Sequence, residues 1–346
     1  MSGRRELLTI DGDYVMRGLA ASYLRIEGDE AAFIETTTSQ AAPTLLKALA
    51  DARLTPAQVR WVIVTHVHLD HAGGASALMK ACPNATLLAH PRATRHLVDP
   101  SRLVASARQV YGAEKFDRLY GVIEPIEASR VRSMEDGSSV ELGGATLRFV
   151  HTRGHANHHF VVLDEARSTV FTGDTFGLVY PQLQRARRLA YPSTSPTDFD
   201  LAAAHESVER VRTLGATSAC LTHFGEIRDL DEVAGQLHRW LDLSGRLVDE
   251  AARAGGDATA IEARIRPELD RYMEQAASEA GLELTDDDRK LIAFDLALNA
   301  QGLAFVAAKQ AQAATGAALA PAARRDGALV RVVDARRAHA RAERRG

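Results

Sequence analysis

Residues 61–74 read WVIVTHVHLDHAGG: an apolar, β-branched run leads into four potential metal ligands, His66, His68, Asp70 and His71, and then into two glycines. A run of that composition predicts a buried strand. Side chains alternate along an extended chain, so His66 and His68 point the same way, whereas Asp70 and His71 fall in the turn that opens the next helix. One short loop can therefore serve two neighbouring metal sites. Three more candidates lie downstream at the ends of expected strands: His155 in HTRGHANHH, Asp174 in VFTGDTF and His223 in ACLTHFG. Singly, a histidine at a strand end is an ordinary hydrogen-bonded residue and a Gly-Asp pair an ordinary turn. Together the seven form a constellation, because strand ends are where a sheet converges side chains.

Outward from that loop, short β-branched runs alternate with helical spacing from residue 5 to about 228, an α/β pattern. Strands are expected at LLTI, SYLRI, AAFIE, WVIVT, ATLLAH, SSVEL, TLRFVH, FVVLD, STVFTG and finally SACLTH. Helices are expected near Thr44 to Ala52, Ala72 to Ala81, Ser101 to Tyr120 and Leu201 to Leu214. From Leu230 the strands stop, and three helical patterns follow, at about Leu230 to Ala254, Ala258 to Ala280 and Asp286 to Gln312. The last opens on TDDD, an N-cap with acidic residues in the first turn. The expected organisation is a catalytic domain over 1–228, a helical module over 229–312 and a loosely ordered Ala/Arg-rich tail over 313–346.

Composition narrows the class. The 346 residues are 46% hydrophobic and 25% charged with a net charge of −3, which fits a soluble globular protein and excludes a chain that is mainly disordered. Apolar stretches such as Trp61 to Val64 and Leu303 to Ala308 fall short of the roughly 18 residues that span a bilayer. The opening MSGRRELLTI has no apolar signal core of about 7 to 15 residues. A cytoplasmic protein without a membrane partner is expected. Cys82 and Cys220 are too few for a disulfide framework and read as small buried residues. The tail has eight arginines against three acids but no interleaved aromatics, so no nucleic-acid partner is expected.

The motif THVHLDHAGG, followed in order by GH at 154–155, TGD at 172–174 and TH at 222–223, resembles the metallo-β-lactamase-fold hydrolase superfamily over about residues 5–228. The resemblance implies a four-layer αβ/βα sandwich with a dimetal site at one edge between the sheets, here followed by a C-terminal helical module. It implies that His66, His68 and His155 bind a first divalent metal, that Asp70, His71 and His223 bind a second, and that Asp174 bridges the two. Two such metals about 3.5 to 4 Å apart can share a water and lower its pKa from 15.7 toward roughly 7, so that hydroxide attacks at neutral pH. They also polarise an acyl or phosphoryl oxygen, so no Ser or Cys nucleophile is required, and Asp70 and Asp174 become the catalytic carboxylates. Nitrogen and oxygen ligands without thiolate suit Zn²⁺, Mn²⁺ or Fe²⁺, and zinc is the expected ion.

Branches of the superfamily differ around Asp174. True β-lactamases usually carry a Cys, Ser or other non-bridging residue there, whereas Asp resembles the glyoxalase II, lactonase and RNase Z branches. The following segment, TFGLVYPQLQRARR, lacks the Gly- and Cys-containing glutathione segment of glyoxalase II, and Gly177 stands where lactonases tend to carry Tyr. The tail's +5 leaves the rest of the chain at −8, unlike the basic face of a tRNA-processing nuclease. What remains is similar to bacterial hydrolases with helices after the last ligand strand, including the thioesterase of alkylquinolone signalling. There the helices cover the site; contact within a homodimer is the alternative role.

The expected function is a dinuclear metal-dependent hydrolase of a small acyl substrate: a thioester, ester or lactone. A regulatory or binding protein that retains the metal site, and a phosphodiesterase, are the alternatives. Phe176 to Tyr191 is expected to wall the substrate, with Tyr180 either an oxyanion donor or a packing aromatic. Arg185, Arg187 and Arg188 are either anion contacts or solvated surface. His159 is expected to orient ligands, while His90, His96, His151, His205, His238 and His339 are expected to be structural or surface residues.

Overall fold

Strands covered on both faces read as near-continuous apolar runs, and two six-stranded sheets are built from them. The computed structural model describes residues 4–194 and 198–314. The first sheet runs β1 (Arg5–Asp11), β2 (Ala21–Glu27), β3 (Glu30–Ile34), β4 (Val59–Ile63), β5 (Thr86–Ala89) and β6 (Val131–Ser133) in spatial order. Its first three strands are antiparallel, and β3 to β6 pair in parallel. The second sheet has the order β12 (Gly225–Ile227), β11 (Ser218–Leu221), β10 (Thr169–Gly173), β9 (Phe160–Asp164), β8 (Ala145–His151) and β7 (Ser139–Leu142). Only its β10–β11 pair is parallel.

Strand alternation makes the layers. Trp61 and Ile63 of β4 face the second sheet and pack with Tyr23, Phe149, Phe160 and Phe171 between the sheets. Val62 and Val64 face the other way, onto Leu45 and Leu49 of α1 (Ala42–Asp51) and Leu78 of α3 (Ala75–Ala81). On the far side, Val161, Leu163 and Val170 pack under α7 (Leu201–Arg212) and α8 (Leu230–Ala254). The result is a four-layer αβ/βα sandwich. Between its sheets Arg25 of β2, fully buried, donates to Asp164 of β9 at 2.5 Å and to Glu27 at 2.6 Å.

The remaining helices are α2 (Leu69–Ala72), α4 (Thr94–Val98), α5 (Ser101–Tyr111), α6 (Ala113–Tyr120), α9 (Ala258–Glu279) and α10 (Asp286–Ala314). Several differ from the expected elements. The helix expected over Ser101 to Tyr120 breaks at Gly112, whose φ of 75° leaves the helical region. The helix expected from Ala72 splits at Gly73-Gly74. A Cβ on Gly74 would lie 2.4 Å from Thr36 O and 2.7 Å from Thr38 O, so the chain there is pressed against its neighbour. SACLTH is not the last strand, because the chain turns back into β12; β6 and β12 are three residues each and carry too little pattern to read.

The C-terminal helices continue the outer layer. Leu237 and Leu241 of α8, Ile261 and Leu269 of α9, and Leu296 and Leu303 of α10 share one core with Val170 and Leu221 of the second sheet. An 18-residue window of α10 has a mean hydropathy of 1.6, and 61% of it is buried. By length and composition that helix could cross a membrane; in this structure its apolar surface is used against α8 and α9. Residues 315–346, most of the expected tail, lie outside the described residues. Cys82 and Cys220 are buried and free.

Candidate metal centre

The segments that leave β4, β8, β10 and β11 at one edge of the sandwich bring ligand-type side chains together there. Beyond β4, the chain bends at Thr65 and His66, His68 is extended, and α2 carries Asp70 and His71. Thr36 clamps that short helix, its N–H and Oγ1 both donating to His71 O at 2.9 and 2.7 Å. His155 lies in the β8–β9 loop, four residues past the strand rather than at its end; Asp174 follows β10 directly and His223 follows β11. Gly173 (φ 51°) makes the β10 exit possible, since a Cβ there would meet His159 Nε2 and Thr65 Oγ1, each at 2.5 Å.

The seven side chains fall into two sets, His66, His68, His155 and Asp174 in one, and Asp70, His71 and His223 in the other; within each, one ligand atom per residue lies within 4.8 Å of the rest. Asp174 joins them. Its Oδ2 is 3.4 Å from His155 Nε2, while its Oδ1 is 3.1 Å from His71 Nε2 and 3.4 Å from His223 Nε2. Asp70 Oδ2 lies 3.6 Å from His223 Nε2. Asp70 is the more open of the two carboxylates, 27% exposed against 6% for Asp174.

The outward-facing nitrogens have partners that set which nitrogen faces inward. Thr65 Oγ1 is 3.0 Å from His66 Nδ1, Ser193 O is 3.1 Å from His155 Nδ1, and Leu19 O is 2.5 Å from His223 Nδ1. For His71 Nδ1 the neighbour is Glu35 Oε2, an ion-pair contact at 3.3 Å without a hydrogen bond. Each therefore presents Nε2 to the centre; His68 presents Nδ1, 3.0 Å from His155 Nε2. His159 sits beside the ligands: its Nε2 accepts from the Asp174 N–H at 3.2 Å, with Thr152 and Thr175 hydroxyls at its Nδ1.

Buried His66 Nε2, His71 Nε2 and Asp174 Oδ1 have no hydrogen-bond partner, an arrangement costly for polar atoms unless a cation takes their lone pairs. Burial pushes His66 and His68 well below the ordinary histidine range, and the neighbouring imidazoles add to it. Burial alone would lower His71 too, but Asp174, Glu35 and Asp70 hold it well above. For Asp174, burial would raise the carboxyl, yet His71, His223 and His155 hold it well below. Neutral His66 and His68 and an ionised Asp174 are in the states that divalent metals require, and His71 would give up its proton to the metal beside it, so the residues fit the group.

Other expectations change here. Phe176, Leu178, Tyr180, Leu183 and Tyr191 are all buried in the core shared with the C-terminal helices, so the 176–191 loop is mostly packing rather than an open substrate wall. The Tyr180 ring sits 6.2 Å from those of Tyr191 and His223. Arg185 pairs with Asp288, Arg188 with Asp229, and Arg187 donates to Glu279 O; they fasten the loop to later elements. His205 and His238 hold each other at 2.8 Å between α7 and α8, away from the centre. Glu35 carried no signal, being an acid at the end of an apolar strand; its left-handed φ of 63° shows only in the structure.

A small cavity of about 20 Å³ lies beside His155 and Asp174, lined also by Pro192, Phe199, Val208 and Leu241. With fold and site in view, the comparisons agree on one class: the chain belongs to the metallo-beta-lactamase superfamily, whose model matches residues 16–223. The metallo-beta-lactamase fold-containing protein ST1585 of Sulfurisphaera tokodaii is 29% identical over 154 residues, 43% of this chain and 54% of that protein. The atrochrysone carboxyl ACP thioesterase AacuM of Aspergillus aculeatus is 25% identical over 193 residues, 51% of this chain and 50% of that enzyme. The chain thus spans about half the length of these curated relatives. In structure it is similar to ST1585, with a TM-score of 0.59 at 19% identity, covering 87% of this chain and 98% of that one. The metallo-beta-lactamase family protein TTHA1429 from Thermus thermophilus also gives 0.59, at 20% identity over 90% and 94%. These two likenesses carry the fold.

Proposed function

We propose that the chain is a dinuclear metal-dependent hydrolase of a small acyl substrate, with a thioester first and an ester or lactone next. The observation that carries it is Asp174, whose two carboxylate oxygens face different ligand sets. His66, His68 and His155 would hold one divalent ion, Asp70, His71 and His223 the other, and zinc suits these donors. Bound there, the ions would supply a water activated at neutral pH and a Lewis acid for the acyl oxygen.

The chain's own residues do the rest. Asp174 holds the two sets in register, and His159 fixes its backbone. Asp70, more exposed than Asp174, is placed to accept a proton from the attacking water at its carboxylate. Phe199, Val208 and Leu241 put apolar side chains beside Asp174 and keep bulk water from that side of the centre. The names of relatives such as AacuM support thioesters ahead of other acyl compounds. The test is turnover by metal-loaded and chelated protein on a panel of thioester, lactone, β-lactam and phosphodiester. Chelator-sensitive turnover highest on a thioester or lactone is expected; metal-dependent turnover of the phosphodiester alone would replace this reading.

A further inference from the structure

The last helix reaches the metal centre through one buried amide. Asn299 of α10 is 3% exposed; its Nδ2 donates to Pro192 O at 2.8 Å and its Oδ1 accepts from the Thr194 N–H at 2.7 Å. Thr194 Oγ1 donates in return to Asn299 O at 3.2 Å. One turn earlier on α10, Asp295 accepts from Tyr191 Oη at 2.9 Å. The residue in the middle of this fastened segment is Ser193, whose carbonyl lies 3.1 Å from His155 Nδ1. Residues 192–194 belong to no helix or strand, so their position depends on such side-chain contacts. An amide offers a donor and an acceptor side by side, which is what a neighbouring C=O and N–H demand.

We propose that Asn299 is a positioning residue for the metal centre: by clamping Pro192 and Thr194 it holds the Ser193 carbonyl that keeps His155 protonated at Nδ1. The Nε2 lone pair of His155 is thereby aimed inward, toward His68 Nδ1 at 3.0 Å and Asp174 Oδ2 at 3.4 Å. A histidine ligand whose far nitrogen loses its partner costs its metal about 10–100-fold in affinity. The C-terminal helices then do more than pack, since α10 braces the segment that orients one ligand, 107 residues from Pro192 along the chain. This rests on the metal reading above.

The test titrates metal-free full-length protein with Zn²⁺ against a chromophoric chelator, with circular dichroism and thermal melting on the same samples. The wild-type chain should show two binding steps. Asn299→Ala should weaken one step about 10–100-fold and leave the other unchanged. Asn299→Gln keeps both an amide donor and acceptor on a longer arm, so it should weaken the same step by less; it decides the matter if the alanine variant does not fold. Gln301→Ala, on the same helix but facing Glu262 of α9, should leave both steps alone. A folded Asn299 variant with both steps as in the wild type, or a Gln301→Ala variant with the same loss, overturns the proposal. A wild-type chain that takes up no zinc fails the metal reading itself, which is a different result.

Discussion

Replacing Glu35 by Gln changes one oxygen to nitrogen in a group 1% exposed and tests how the centre is held. The carboxylate holds two groups at once: Oε1 accepts from the Thr65 N–H at 3.2 Å, and Oε2 makes an ion-pair contact with His71 Nδ1 at 3.3 Å. An amide has only one acceptor oxygen, so one of them must face an NH₂ group. Loss of a metal-bound histidine's carboxylate partner costs about 10–100-fold in affinity, which is about 1.4–2.7 kcal/mol. Competition titration of the metal-free variant with Zn²⁺ should show that loss in the step that depends on His71. Adding Glu35→Gln to His223→Ala should then cost less than the sum of the separate losses, because both act on one ion. Wild-type affinity in both steps, or a loss confined to the set containing His66, would refute the reasoning.

Three further outcomes follow from other parts of the molecule. Arg25→Ala would leave Asp164 buried without its cation, so chemical denaturation should show a loss of about 3–5 kcal/mol. Arg25→Met with Asp164→Leu should recover most of it, and a loss under about 1 kcal/mol for the single change would mean that the inter-sheet pair contributes little. Leu241→Ala should enlarge the cavity beside Asp174 and raise turnover of longer acyl groups relative to short ones, at unchanged metal content; a uniform change across chain lengths would remove α8 from the substrate wall. His90 is pushed down to about 3, first by burial and then by His151, His158 and Arg92. An unfolded histidine takes up a proton near pH 6.5 while the folded one stays neutral, so stability falls with pH from about 6.5 toward 3. With chelator present throughout, His90→Gln should flatten the fall between about pH 6 and 4.5 by at most about 1.4 kcal/mol per pH unit, and an unchanged slope in urea unfolding would contradict the assignment.

How much of this was legible in the sequence depends on distance along the chain. His66, His68, Asp70 and His71 lie within six residues, so their spacing and the strand before them sufficed to place them on one loop. His155, Asp174 and His223 stood out because each follows a β-branched run, although His155 proved to lie four residues beyond its strand. Apart from His159, the residues that orient those ligands left no trace. Ser193 and Leu19 act through backbone carbonyls, which any residue supplies, and Asn299 is one amide on a helix whose pattern speaks only of burial. The arginines at 185, 187 and 188 read as a surface run because their partners Asp288, Glu279 and Asp229 come 41 to 103 residues later. The same limit applied to Arg25 and Asp164, 139 residues apart, which nothing but the closed sandwich brings together.

The central claim is that Asp174 ties two metal sites into one centre. Zn²⁺ titration of the metal-free chain, read by chelator competition, tests it most directly when run beside Asp174→Ala. The account predicts two equivalents per chain, with both binding steps weakened together in the variant. A single equivalent in the wild type, or a variant that loses one step and retains the other at full affinity, would contradict it.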